Sequence, residues 1–156
     1  SRARAAAIVA AGSVARALEA ASEQTTDARS QALAVLQEAA TAREPRRLLE
    51  QMRAVLGLDR RQGATLAAER EDVTLSLRAL SSLLRDVTLM QATPRPTRGA
   101  AVELANADLK KDLERVAASF DRQRVVRAFA VVDRALAALG GNANPKLVVD
   151  WLAFEM

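Results

Sequence analysis

The sequence contains no cysteine and no histidine, and this absence removes several kinds of active site at once. Without thiolates or imidazoles there can be no disulfide framework, no Cys/His zinc site, no cysteine nucleophile and no Ser-His-Asp triad. The neighbouring acids Glu71/Asp72 and Asp112/Glu114 are one or two positions apart, so the members of each pair do not share a helix face. We therefore expect no catalytic residues, no metal site and no cofactor in this chain.

Glycine and aromatic residues are scarce, with six glycines and only 3% aromatic residues. None of the glycines belongs to a Gly-x-x-x-x-Gly-Lys-[Ser/Thr] phosphate loop, so we do not expect the chain alone to hydrolyse nucleotide. No apolar run approaches the roughly 20 residues that a membrane span requires. Half of the residues are nevertheless hydrophobic, and most of these are alanine and leucine, as is typical of closely packed helices. The composition predicts an all-α fold.

The net charge of +4 comes mostly from arginine, because lysine occurs only at Lys110, Lys111 and Lys146. A basic chain can attract a phosphate backbone. Here, however, aspartate and glutamate are interleaved with the arginines in every segment. This pattern favours a bias of composition, as in a GC-rich genome, over a dedicated nucleic-acid site. A free-standing helical nucleic-acid-binding module remains an alternative, and it predicts a single basic face.

The apolar residues between Leu66 and Met90 predict the longest helix and the centre of the fold. From Val73 onward they recur in steps of four and three, which places them on one side of a helix about 38 Å long. A second, narrower apolar stripe implies that this helix is covered on more than one side. We expect its polar face to be exposed. The first stripe consists of Leu66, Val73, Leu77, Leu80, Leu84, Val87 and Met90. The second consists of Leu75, Leu83 and Leu89. The polar face carries Glu71, Asp72, Arg78, Arg85 and Asp86.

The sequence before this helix predicts two short helices and two longer ones. Gly12 ends the first short helix and Ser13 caps the second. Their apolar faces lack partners, so we expect the chain to begin inside a larger domain. Thr26 or Asp27 then caps a helix that reaches about residue 42, and Pro45 opens a helix that ends at Gly57.

After the central helix, residues 92–101 contain two prolines and a glycine and predict a loop. Three further helices follow: one that starts near residue 106 or 108, one capped by Asp121, and one with Pro145 at its first position. The last helix is apolar on nearly every side, so we expect it to be wedged between others, with Trp151 filling the core. The expected core positions of the other two are Leu109, Leu113, Val116, Phe120, Val125, Phe129, Val132, Leu136 and Leu139.

Three strings in the chain resemble motifs of AAA+ clamp-loader subunits. Residues 11–18, Ala-Gly-Ser-Val-Ala-Arg-Ala-Leu, resemble the Gly-Ser-x-x-Arg-Ala-Leu segment of the lid in those proteins. Residues 83–87, Leu-Leu-Arg-Asp-Val, resemble a string on the long helix of their collar domain. Residues 142–152, which begin Asn-Ala-Asn-Pro-Lys-Leu, resemble the end of the same domain, most closely in the delta-prime family of bacterial DNA polymerase III. Their order and spacing cover essentially the whole chain.

The resemblance implies a division near residue 24, with residues 1–24 as the end of the AAA+ lid and residues 25–156 as a helical collar. In that family the collars pack side by side and close a five-subunit ring, which places the sliding clamp on primed DNA in the bacterial cytoplasm. ATP hydrolysis belongs to neighbouring subunits. The implied partners are the gamma/tau and delta subunits. DNA and the sliding clamp are contacted only by the whole complex, and no membrane is involved.

The resemblance also implies roles for individual residues. Arg16 matches the sensor-2 arginine of the lid, which in nucleotide-binding members approaches a phosphate. The alternative is a purely structural role, in which Ser13 is a helix cap and Arg16 forms a salt bridge. The other matches are structural positions of the motifs: Gly12, Ser13, Arg85, Asp86, Asn142, Asn144, Pro145 and Leu147.

The collar of the gamma/tau subunit is the nearest alternative within the family. In tau a proline-rich extension would follow the collar. The present chain stops just after its terminal helix, which favours delta-prime if Met156 is the natural end.

Overall fold

The structure, a computed structural model, describes residues 23–42, 44–59, 65–92 and 103–156. Within these ranges the chain is all-helical and has no strand, which confirms the predicted all-α fold, whereas the clamp-loader collar type stays a prediction. The two short helices predicted before residue 22 and most of the predicted loop lie outside the described residues, and the division near residue 24 stays a prediction. The helices are α1 (Glu23–Thr41), α2 (Pro45–Val55), α3 (Leu66–Ala92), a 3-10 turn (Ala107–Leu109), α4 (Lys110–Ser119), α5 (Arg122–Gly140) and α6 (Pro145–Glu155).

Helix α3 is the centre of the bundle, as its apolar pattern predicts. It packs against α1, α4, α5 and α6. Near its C-terminal end, Gln91 donates hydrogen bonds from Nε2 to the carbonyls of Ala117 (3.2 Å) and Phe120 (2.6 Å), just before α5 begins. Near its N-terminal end, Arg70 donates to the carbonyl of Asn142, just after α5 ends. Helices α3 and α5 therefore run antiparallel.

The core is built from leucine, valine and alanine, with one methionine and one phenylalanine. A fully buried leucine contributes about 2–3 kcal/mol relative to an exposed one. Leu66 departs from the prediction because it stands at the first position of α3, where it is 55% exposed. Among the described helices, none has the length and apolarity needed to cross a bilayer. The largest fully buried side chains are Leu36, Met52, Leu77, Leu80, Leu83, Leu84, Leu113, Leu139, Leu152, Val73, Val87 and Val125.

Prolines and caps set the helix boundaries, mostly as predicted. Pro45 and Pro145 lie in the first turns of α2 and α6, where a missing N–H costs nothing. The side chain of Asp121 caps α5 by accepting a hydrogen bond from the backbone N–H of Arg124 (2.7 Å). Gly57 follows α2 with a positive φ of 68°. The predicted start of α1 at residue 26 or 27 is wrong, because the helix already includes Glu23; a run of polar residues favours a helix start without fixing which residue is the cap.

Candidate functional site

The three strings that resemble clamp-loader motifs, residues 11–18, 83–87 and 142–152, are called the family-like strings below. Asp86, in the second of them, is completely buried, although the sequence predicted an exposed position. Its carboxylate oxygens accept hydrogen bonds from the backbone N–H of Ala105 (3.2 Å) and from the backbone N–H (2.7 Å) and side-chain Nδ2 (2.9 Å) of Asn106. Nη1 of Arg85, whose side chain is 53% exposed, lies 3.8 Å from Oδ1. Three N–H donors replace the water that the carboxylate loses on burial. The segment before the 3-10 turn is therefore fastened to α3.

Asn106 extends this contact to α1. Its Oδ1 accepts from Nε of Arg29 (3.1 Å), and its Nδ2 also donates to Oγ of Ser82 (3.1 Å). Nη2 of Arg29 in turn donates to both carboxylate oxygens of Asp108, at 2.9 and 3.1 Å. We call Arg29, Ser82, Asp86, Asn106 and Asp108 the Asp86 junction. It locks α1, α3 and the 3-10 turn together, and its buried carboxylate is engaged in structural hydrogen bonds.

The third family-like string forms the turn that starts α6. Asn142 has a positive φ of 64°, a left-handed conformation that asparagine tolerates better than most residues. Asn144 is the N-cap, and its Oδ1 accepts from the backbone N–H of Lys146 (2.9 Å). Pro145 is buried at the first helical turn. These three residues determine the direction of α6, whereas Leu147 is 67% exposed.

Replacing Asn144 by alanine removes the cap, and we expect a loss of about 1 kcal/mol in the free energy of unfolding. Asn144→Ser retains a side-chain oxygen that can accept the same hydrogen bond, so it is the matched control and should stay within about 0.5 kcal/mol of the wild type. Urea unfolding followed by circular dichroism measures both variants. Equal stability of the alanine and serine variants would show that the cap contributes nothing.

Helices α5 and α6 form an antiparallel hairpin whose outer side carries large apolar residues. The helices are joined by residues 141–144, and the Arg134 guanidinium lies over the Trp151 ring, 5.2 Å from its centroid. Trp151 is half-buried. The exposed fractions of the others are 58% for Val126, 42% for Phe129, 67% for Leu147 and 61% for Phe154. We call Val126, Phe129, Leu147, Trp151 and Phe154 the hairpin face.

At the hairpin, two expectations from the sequence are wrong and a third is confirmed. Phe129 is not a core residue, because the buried side of α5 is formed by Val125, Ala128, Val132 and others, and Phe129 lies beside that side. Trp151 is at the edge of the core and does not fill it. Helix α6 is wedged between α2 and α5, as predicted, but the side that carries Leu147 and Phe154 is left open.

An ion pair between Arg53 and Asp150 holds α6 against α2. Arg53 donates from Nε to Oδ1 of Asp150 (2.8 Å) and from Nη2 to Oδ2 (2.5 Å). This two-point geometry is the strongest that arginine and a carboxylate can form. The hydrogen bond to Asp150 is the main reason why the pKa of Arg53 is raised above its usual range. The orientation of α6, and with it the hairpin face, is therefore fixed.

The exposed basic residues lie on several helices of the bundle. They occur on α2, α3, α4, α5 and α6, and some are paired with acids, as in Arg46 with Glu50 and Arg115 with Asp112. Within the described ranges, such a distribution does not give the single basic face that the nucleic-acid-binding alternative predicts.

The remaining residues of the family-like strings, Gly12, Ser13 and Arg16, lie outside the described residues, so the sensor-2-like role of Arg16 stays a prediction. In the described part of the chain, no group of three or more acidic side chains could hold a metal ion. Sequence reasoning missed Arg29 and Asn106, and it also missed the pair of Arg53 with Asp150. Compared with known proteins, the chain matches no family model, no curated protein and no solved structure.

Proposed function

We propose that this chain is an oligomerisation domain, the helical collar of a bacterial clamp-loader subunit of the delta-prime family. In this role it helps to hold together the five-subunit complex that loads the sliding clamp on primed DNA. The proposal rests on the three family-like strings and on one structural observation. Three of the four aromatic residues of the chain lie on the hairpin face, and only Phe120 is in the core.

The exposed aromatic residues support a protein interface more than they support stability. Phe154 leaves most of its surface in water, although burying a phenylalanine side chain stabilises by about 1.5–3 kcal/mol. Adjacent exposed apolar residues are typical of surfaces that meet a partner. Tryptophan, phenylalanine and arginine are also enriched at protein interfaces, and Trp151 with Arg134 over its ring provides this combination.

The rigid support of the hairpin face is consistent with a structural role. The pair of Arg53 with Asp150 fixes α6 on α2, and the Asp86 junction fixes α1 and the 3-10 turn on α3. A surface that is already ordered loses less conformational entropy when it binds. A collar subunit must hold a constant shape while neighbouring ATPase subunits move, and this construction would supply such a shape.

The proposal predicts that the chain binds the gamma/tau and delta subunits of the same organism more tightly than it binds primed DNA. Replacing both Leu147 and Phe154 by glutamate should weaken subunit binding by a factor of about ten or more, since each change places a charge in a buried contact. Ser30→Glu on α1 adds a negative charge at an exposed position away from the hairpin and should leave binding unchanged. Co-elution on a sizing column and calorimetry measure the association.

Two results would contradict this function. One is the absence of any association with gamma/tau or delta while the chain binds DNA tightly and in a salt-sensitive way, which would favour the nucleic-acid-binding alternative. The other is equal binding of subunits by the wild type and the double variant, which would place the interface elsewhere. Urea unfolding of each variant shows that a loss of binding is not a loss of folding.

A further inference from the structure

We draw no further inference here: the strongest candidate, the open apolar side of the α5–α6 hairpin that carries Leu147 and Phe154, is the surface already described under the proposed function, and nothing in the structure shows what covers it.

Discussion

Replacing Asp86 by alanine is expected to lower the free energy of unfolding by about 3–4 kcal/mol. The carboxylate is fully buried and accepts three hydrogen bonds, two from Asn106 and one from Ala105. Removing it leaves these N–H groups without acceptors in the protein interior, where each unsatisfied donor costs about 1–3 kcal/mol. The effect is less than the sum of three such costs, because the variant no longer has to desolvate a charge.

Urea unfolding of the wild type and the variant measures the difference. Arg78→Ala is the control, because Arg78 is exposed on the same helix and is not in contact with the Asp86 carboxylate, and we expect a change within about 0.5 kcal/mol. Asp86→Asn should be intermediate, since the amide keeps one acceptor oxygen and presents an N–H₂ group to a donor. A loss of less than about 1 kcal/mol for Asp86→Ala would show that water replaces the carboxylate or that the loop moves away.

The helices could be predicted from the sequence because their signals are local. The step of four and three from Val73 to Val87 marks α3, and a proline or an N-cap marks the starts of α2, α5 and α6. Each of these signals is read within a few residues of the element that it defines. The start of α1 was less well defined, because any of several polar residues could serve as a cap.

The Asp86 junction could not be predicted, because its contacts join distant parts of the chain. Asp86 lies on the polar side of α3 by helical period, and an aspartate there is normally exposed. It is buried because residues 105 and 106 fold back onto it, and Arg29 joins the network from 77 positions away from Asn106. The one local signal was the family-like string itself, which singled out Arg85 and Asp86 together without saying which of the two is inside.

The hairpin face shows a different limit of sequence reasoning. Apolar residues at helical spacing predict that a side is covered, but not whether the cover comes from the same chain. Phe129 fitted the step of four and three on α5 as well as Val132 does, yet Val132 is buried and Phe129 is 42% exposed. The apolar character of α6 on nearly every side was a real signal, and part of it points outward.

Replacing Leu84 by alanine is the second substitution for which we expect a large effect, a loss of about 3 kcal/mol in the free energy of unfolding. Leu84 is fully buried on α3, which packs against four other helices. Alanine removes most of the side chain and leaves a cavity that surrounding helices, held by their own packing, can fill only in part. Leu66→Ala on the same helix is the control, since Leu66 is 55% exposed and should change stability by less than about 0.5 kcal/mol.

The Leu84 variant also separates stability from binding. It alters the core and leaves every residue of the hairpin face in place, so any loss of association should follow the unfolded fraction and disappear at temperatures where the variant is folded. Variants at Leu147 and Phe154 should behave in the opposite way, because these side chains are 67% and 61% exposed and contribute little to the core. If folded Leu84→Ala protein lost association as fully as the Leu147 and Phe154 variants do, the interface would depend on the interior of the bundle and the hairpin face would not be its centre.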